Sequence, residues 1–307
     1  MRMGSISQAR CALGAATITL VMAAVAHADT WTPMHNLSQN ALYNRWSCVF
    51  ADADGWHYTY MQGDINNSQT WRLFYRMQTP AGVWSSPVQI GNVPRSEESH
   101  NARYSDGTRF VVFQGRPGGT DEWLISENAG AGWSAPVYLT PNDGRPDLCT
   151  DLNRVFDLDS SDTIHLLSQH YDGSQWNMRY YRKPRGGAIV DVGRVVPSGD
   201  YQVNGSVRVT GSGANQTVHF LVAGGSTVPA WRCYYRKYAN GAFGPIINLS
   251  NIVAAQPEGA HAGNIVQLPS GKLVACFATR DAAASGDWEV WLLQSDDNGD
   301  TWHTPIN

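Results

Sequence analysis

Charge is scarce in this chain. Asp, Glu, Lys and Arg make up 16% of its 307 residues, and the formal net charge is −4. A basic stripe or patch is missing, so the electrostatic footprint of a nucleic-acid binder is absent and nucleic acid is excluded as a partner. Long apolar runs are missing too. The longest, residues 12–25, is shorter than a comfortable membrane span. No Cys-x-x-C pair occurs, which removes the common zinc and thioredoxin-type readings. No metal and no cofactor is expected.

The short apolar run has a different meaning. Arg2 and Arg10 lie ahead of it, and Ala26-His27-Ala28 follows as a small-x-small cleavage site. Residues 1–28 therefore read as a secretory signal peptide, and residues 29–307 as one exported domain, secreted or periplasmic and monomeric. Cys11 would leave with the leader. Cys48, Cys149, Cys233 and Cys276 remain. Two disulfides in any of three connectivities are open to them in an oxidising compartment. The competing reading makes Cys48, Cys233 and Cys276 ordinary strand residues, since each sits in an apolar run.

Aromatics and glycine are plentiful, at 11% and 30 residues. With little Lys and Glu, they describe a β-rich chain punctuated by turns. The main signal is an internal repeat. One half-repeat runs as an apolar-aromatic strand, a turn, then an aromatic anchor and a short strand. It recurs at 73–90, 123–140, 179–196, 233–250 and 291–307. A hairpin with alternating apolar residues precedes each copy, at 45–63, 102–115, 154–170, 206–224 and 264–280. Four antiparallel strands per unit is the pattern of a propeller blade, whose two faces are buried only by packing against neighbours. The fold expected is all-β, a β-propeller of about five four-stranded blades. Residues 31–38 read as an isolated outer strand, which leaves six blades open if the C-terminus is truncated.

Ser295-Asp296-Asp297-Asn298-Gly299-Asp300-Thr301-Trp302 matches Ser-x-Asp-x-Gly-x-Thr-Trp in full, and 126–133 is a degraded copy. On these residues the chain resembles the Asp-box, or BNR-repeat, sialidase-like propellers. That family includes exo-glycosidases, polysaccharide lyases and lectins, so the resemblance implies a fold and an extracellular glycan or polysaccharide as partner. The acidic run does not have EF-hand spacing. Its Asp is expected to cap the turn and its Trp to pack between sheets. The sialidases' Arg-Ile-Pro segment is absent, and Arg45 is followed by Trp46. True sialidase activity is therefore not expected.

Propeller topology places the segments leading into each first strand, and the loops after each second strand, on the ligand face. Those segments supply Arg45, His100, Asn101, Arg154, Tyr201 and His261, and the loops Asp64, Arg116, His170, Tyr171 and Arg280. His100, Tyr171, Asp64 and Glu98 are the candidate catalytic groups. Arg45, Asn101, Arg116, Arg154, His170, Tyr201, His261 and Arg280 are the candidate substrate ligands. A glycosidase would draw two carboxylates from Asp64, Glu97, Glu98, Asp200, Glu258 and Asp281. A uronate lyase would use an Arg on the carboxylate with His and Tyr moving the proton. An Asn recurs near the start of every blade and reads as a backbone linker before it reads as a ligand. His57, His165 and His219 share one position in three second strands and read as structural. A lectin without catalysis is the alternative, but variation among the ligand-face residues favours one asymmetric site.

Overall fold

The computed structural model describes residues 43–305, apart from 149–154, 197–200, 226–229, 254–256, 282–286 and 304. The predicted leader, residues 31–38, Cys149 and Arg154 fall outside the described residues. Of Tyr43, Arg45, Tyr201, Glu258 and Asp281 only the strand position is described.

Apolar runs without alternation, such as Phe110-Val111-Val112-Phe113, become strands buried on both faces. Among the described residues, five antiparallel sheets of three to five strands result, each resembling a propeller blade. The first holds β1 (Tyr43–Asp52), β2 (Gly55–Asp64), β3 (Asn67–Gln78) and β4 (Val88–Gln89) in that order. The second holds β5 (Glu97–Arg103), β6 (Arg109–Gly115), β7 (Glu122–Asn128) and β8 (Val137–Tyr138). In the third, β9 (Asp147–Leu148) and β10 (Phe156–Leu158) both pair with β11 (Ile164–Tyr171), followed by β12 (Trp176–Lys183) and β13 (Val190–Arg194). The fourth runs β14 (Tyr201–Thr210), β15 (Thr217–Gly225), β16 (Arg232–Ala239) and β17 (Ala242–Phe243), with β18 (Ile247–Asn248) also on β16. The fifth is β19 (Pro257–Gln267), β20 (Leu273–Asp281) and β21 (Trp288–Ser295).

Four apolar cores lie between consecutive sheets. Leu73 and Tyr75 meet Val111 and Phe113 between the first and second. Phe110 and Trp123 meet Phe156 and Tyr181 between the second and third. Met178 and Tyr180 meet Val207 and Phe220 in the next seam, and Leu221 and Tyr235 meet Phe277 and Leu293 in the last. Each sheet is thus stabilised by its neighbours, as the repeat implies. Trp288, Val290 and Leu292 are exposed on the fifth sheet, and Val49 and Trp56 on the first.

The Asp-box is a closed turn. Asp297 Oδ1 accepts the Thr301 N–H at 2.8 Å and the Ser295 hydroxyl at 2.8 Å, while Ser295 Oγ accepts the Gly299 N–H. Gly299 has φ +88°, and a Cβ there would run into the Tyr235 hydroxyl, so glycine is required. Trp302 packs edge-on against Tyr235 of the fourth sheet, ring centroids 4.9 Å apart.

His57, His165 and His219 form one repeated network. Nδ1 meets the hydroxyl of Tyr75, Tyr180 and Tyr235 at 2.7, 2.6 and 2.8 Å. Nε2 meets Asp52, Asp159 and Thr210. Burial works against the Asp52 and Asp159 charges, but hydrogen bonds from the histidines and turn amides outweigh it and hold both near about 2. The disulfide expectation is corrected for three of its four members. Cys48, Cys233 and Cys276 are free thiols on β1, β16 and β20.

Candidate functional site

At one edge of every sheet the first strand begins, the second ends and the third begins. The cross-strand pairs there are Tyr43 with Gly63, Glu97 with Gln114, Asp147 with His170, Tyr201 with Gly225, and Pro257 with Asp281. This upper edge carries the strand ends that the sequence marks as the ligand side.

Backbone hydrogen bonds align the third strands and expose a break in the repeat. The carbonyls of Leu73, Trp123, Met178 and Cys233 each accept an N–H from the outer segment of their sheet, those of Ile90, Leu139, Val195 and Leu249. Two residues before them stand Trp71, Asp121, Trp176 and Trp231. In the fifth sheet Trp288 holds the position. It precedes Gln294 as Trp231 precedes Lys237, and the Gln294 and Lys237 carbonyls accept corresponding N–H groups from His303 and Gly244. Four sheets therefore carry tryptophan at this position, and the second sheet carries an acid. Ser96 N–H donates to the Trp71 carbonyl, as Asp147 N–H donates to that of Asp121. Asp147 thus fills, in the third sheet, the place Ser96 fills in the second.

These departures cluster where the second and third sheets meet. Asp121 accepts from Arg116 Nε at 3.0 Å and Nη2 at 2.5 Å, and Arg95 lies 3.6 Å away. Arg95 also donates to Glu97 at 2.9 Å. The next residue, Glu122, is buried, and its Oε2 accepts the Thr140 hydroxyl at 2.9 Å. Its Oε1 has no partner among the described residues. Burial pushes its carboxyl up to about 8, with the Asp147, Asp143 and Asp121 charges adding to the shift. Glu122 therefore carries a proton at neutral pH.

Asp147 is fully buried. Its Oδ1 accepts the Ser168 hydroxyl at 3.0 Å and lies 3.4 Å from His170 Nδ1. Burial raises its carboxyl above the ordinary value, and His170 and Ser168 pull it back. His170 sits opposite Asn177, on a rung where Gly115 faces Glu122 and Gly224 faces Arg232 in other sheets. Beside it, Tyr171 packs against Trp176 at 5.2 Å, half-buried. Asp172 takes hydrogen bonds from Ser174 and Arg194, which hold its carboxyl well below the usual range. The arrangement is a buried Asp–His pair with a protonated carboxylic acid nearby, edged by Tyr171, Trp176 and the Arg116–Asp121 ion pair.

The sequence-predicted residues fall into several places. His170, Tyr171 and Arg116 belong to this cluster. His100 packs between Trp123 and Phe156, with ring centroids 6.4 and 5.9 Å away, inside the seam between the same two sheets. Glu98 is buried at a bulge in β5, with φ +25°. Asp64 is exposed on the β2–β3 hairpin and accepts the Asn66 N–H. The four candidate catalytic groups thus stand on three different sheets. Asn101 donates to the backbone carbonyls of Cys48 and His57, 3.3 and 3.5 Å away, linking the second sheet to the first. Asn204 repeats this duty by accepting the Ala262 N–H. His261 and Arg280 meet around Trp288, 4.9 and 5.5 Å from its ring. Arg45 and Tyr201 are described only as strand positions, and Arg154 lies outside the described residues. Sequence reasoning missed Asp121, Glu122 and Asp147.

No protein-family model and no curated protein matches the sequence. Solved structures do match. A protein of unknown function from Dyadobacter fermentans aligns with TM-score 0.59 and 11% identity, over 86% of this chain and 83% of its own. A Hadza microbial sialidase aligns with TM-score 0.57 and 13% identity, over 86% of this chain and 58% of its own. An ulvan lyase bound to a glucuronic acid–sulfated rhamnose unit aligns with TM-score 0.56 and 10% identity, over 84% and 69%. At these identities the likeness defines the class by fold: an all-β protein of propeller-like blades.

Proposed function

We propose that the protein is an exported carbohydrate-active enzyme on a sialidase-like propeller, cleaving an acidic polysaccharide at the junction of the second and third sheets. The observation that carries this reading is the Asp147–His170 pair. Asp147 Oδ1 stands 3.4 Å from Nδ1 without hydrogen-bond geometry; a proton on Nδ1 is the one this carboxylate would draw in, which would leave Nε2 as the base. Glu122 and Asp147 are 1% and 0% exposed, against 5% for His170, so hydrolysis by that pair is disfavoured. Proton abstraction next to a uronate carboxylate fits better. His170 takes the proton, Tyr171 supplies a hydroxyl to the leaving oxygen, and Arg116 faces the carboxylate. The fold shared with an ulvan lyase and a sialidase, both acting on acidic sugars, supports the substrate class.

A lectin is the second reading, favoured by one observation. Tryptophan recurs at one aligned third-strand position in four of the five sheets, and a recurring aromatic suits repeated sugar stacking. Incubating the protein with acidic and neutral polysaccharides separates the two. Ultraviolet absorbance of an unsaturated uronate supports elimination. New reducing ends without it support a hydrolase. Binding without any product supports the lectin.

A further inference from the structure

The edge opposite the candidate site holds a cavity of about 310 Å³ between the third and fourth sheets, at the low end of ligand-pocket sizes. Its cause is a break in the repeat. At two other seams a tryptophan from the next sheet's turn closes over the tyrosine of the His–Tyr network. Trp133 lies 5.0 Å from Tyr75, and Trp302 lies 4.9 Å from Tyr235. Over Tyr180 the corresponding residue is Phe243, with its ring centroid 6.3 Å away. The turn that carries it, residues 239–242, is two residues shorter than residues 296–301 of the Asp-box. The space is left open.

The shortened turn also omits a charge. Arg182 faces His165 across the strands, as Lys237 faces His219. Lys237 is neutralised by Asp300 of the Asp-box, 2.7 Å away. The turn 239–242 reads Ala-Asn-Gly-Ala and contains no acid. Arg182, which lines the cavity, has no ion pair or hydrogen bond among the described residues, and its Nε is buried without a partner. A half-buried guanidinium calls for acceptors, and a carboxylate matches its planar fork best. Among the described residues the one carboxylate lining the cavity, Asp159, is already bonded by His165 and by the Ser161 and Thr163 N–H groups.

We propose that this cavity binds a carboxylate-bearing sugar of the uronic-acid type, its carboxylate on Arg182 in the place of the missing turn acid. The amides of Gln216 and Asn240 and the Asp159 carboxylate supply hydrogen bonds for ring hydroxyls. The ring lies against Tyr238. The site stands on the opposite edge from the candidate active site and does not depend on its reading.

Calorimetry and thermal shift of the full chain with D-glucuronate, D-glucose and acetate test this. Glucuronate is expected to bind and to raise the melting temperature, with glucose and acetate far weaker. Arg182→Met places in the third sheet the residue type that Met77 provides in the first, so the fold is expected to tolerate it. It should weaken glucuronate by on the order of tenfold or more, the worth of one charge-assisted hydrogen bond. Asn240→Asp restores an acid to the turn, exchanging the side-chain NH2 for a carboxylate oxygen of the same size, and should weaken glucuronate by more than it weakens glucose. No glucuronate binding, equal affinity for glucose or acetate, or unchanged affinity in both variants overturns the proposal.

Discussion

Asp147 and His170 face each other across β9 and β11, with the carboxylate Oδ1 3.4 Å from the imidazole Nδ1. The carboxylate is fully buried, with the Ser168 hydroxyl and the imidazole as its polar neighbours. Removing one member of a buried pair strands the other. His170→Ala should destabilise the protein by roughly 2–4 kcal/mol in urea unfolding. Adding Asp147→Asn should recover most of that loss. A double variant as unstable as the sum of the singles would mean the two side chains do not interact.

Glu122 is predicted to make stability fall as pH rises. Its folded carboxyl titrates near about 8, above the ordinary 4.5. Between those values the unfolded chain has lost the proton and the folded one keeps it. Stability from the protonated form is complete below about 4.5 and is lost as pH rises through about 8. Glu122→Gln should leave the melting temperature at pH 4 nearly unchanged and raise it at pH 9. A parallel pair of profiles would contradict the shift.

His219 acts with the opposite sign. Burial first, then the Lys237 and Arg208 charges, push its imidazole down to about 3. The neutral ring shares hydrogen bonds with the Tyr235 and Thr210 hydroxyls. Its contribution is complete above about 6.5 and is lost as pH falls toward 3. His219→Gln should lower stability at pH 7 and flatten the loss between pH 6 and 4. An unchanged acid slope would assign that loss to other groups.

The Asp-box should behave as a clamp on the last seam. Trp302→Ala removes the ring against Tyr235, at a loss of about 2–3 kcal/mol. Gly299→Ala should lose a similar amount, about 2 kcal/mol, because φ is positive and Tyr235 occupies the space. Circular dichroism melts would check both. Variants as stable as the parent would show that the seam is held elsewhere.

Much of the fold was legible because it repeats. The hairpins, the third strands and the Asp-box all lie where the apolar pattern and turn residues placed them. The recurring histidines were readable as structural for the same reason, since a residue at one position in three repeats answers to the scaffold. The site was harder. The apolar pattern picks up the third-strand copies at Leu73, Trp123 and Cys233, past the tryptophans two residues earlier and past Asp121, which stands in their place. Glu122 and Asp147 reveal themselves through burial, which sequence spacing does not report. His170 was visible as a divergence from the repeat, and Asn101 could be read two ways until its amide was found on backbone carbonyls of the first sheet.

The most direct test compares the protein and its His170→Gln variant side by side on a panel of acidic polysaccharides, following unsaturated uronate and reducing ends. The account predicts unsaturated product from the parent and at least about a hundredfold less from the variant, the typical worth of a general base. Both proteins should melt cooperatively. Equal product from the two, or none from the parent on any polysaccharide, would contradict it.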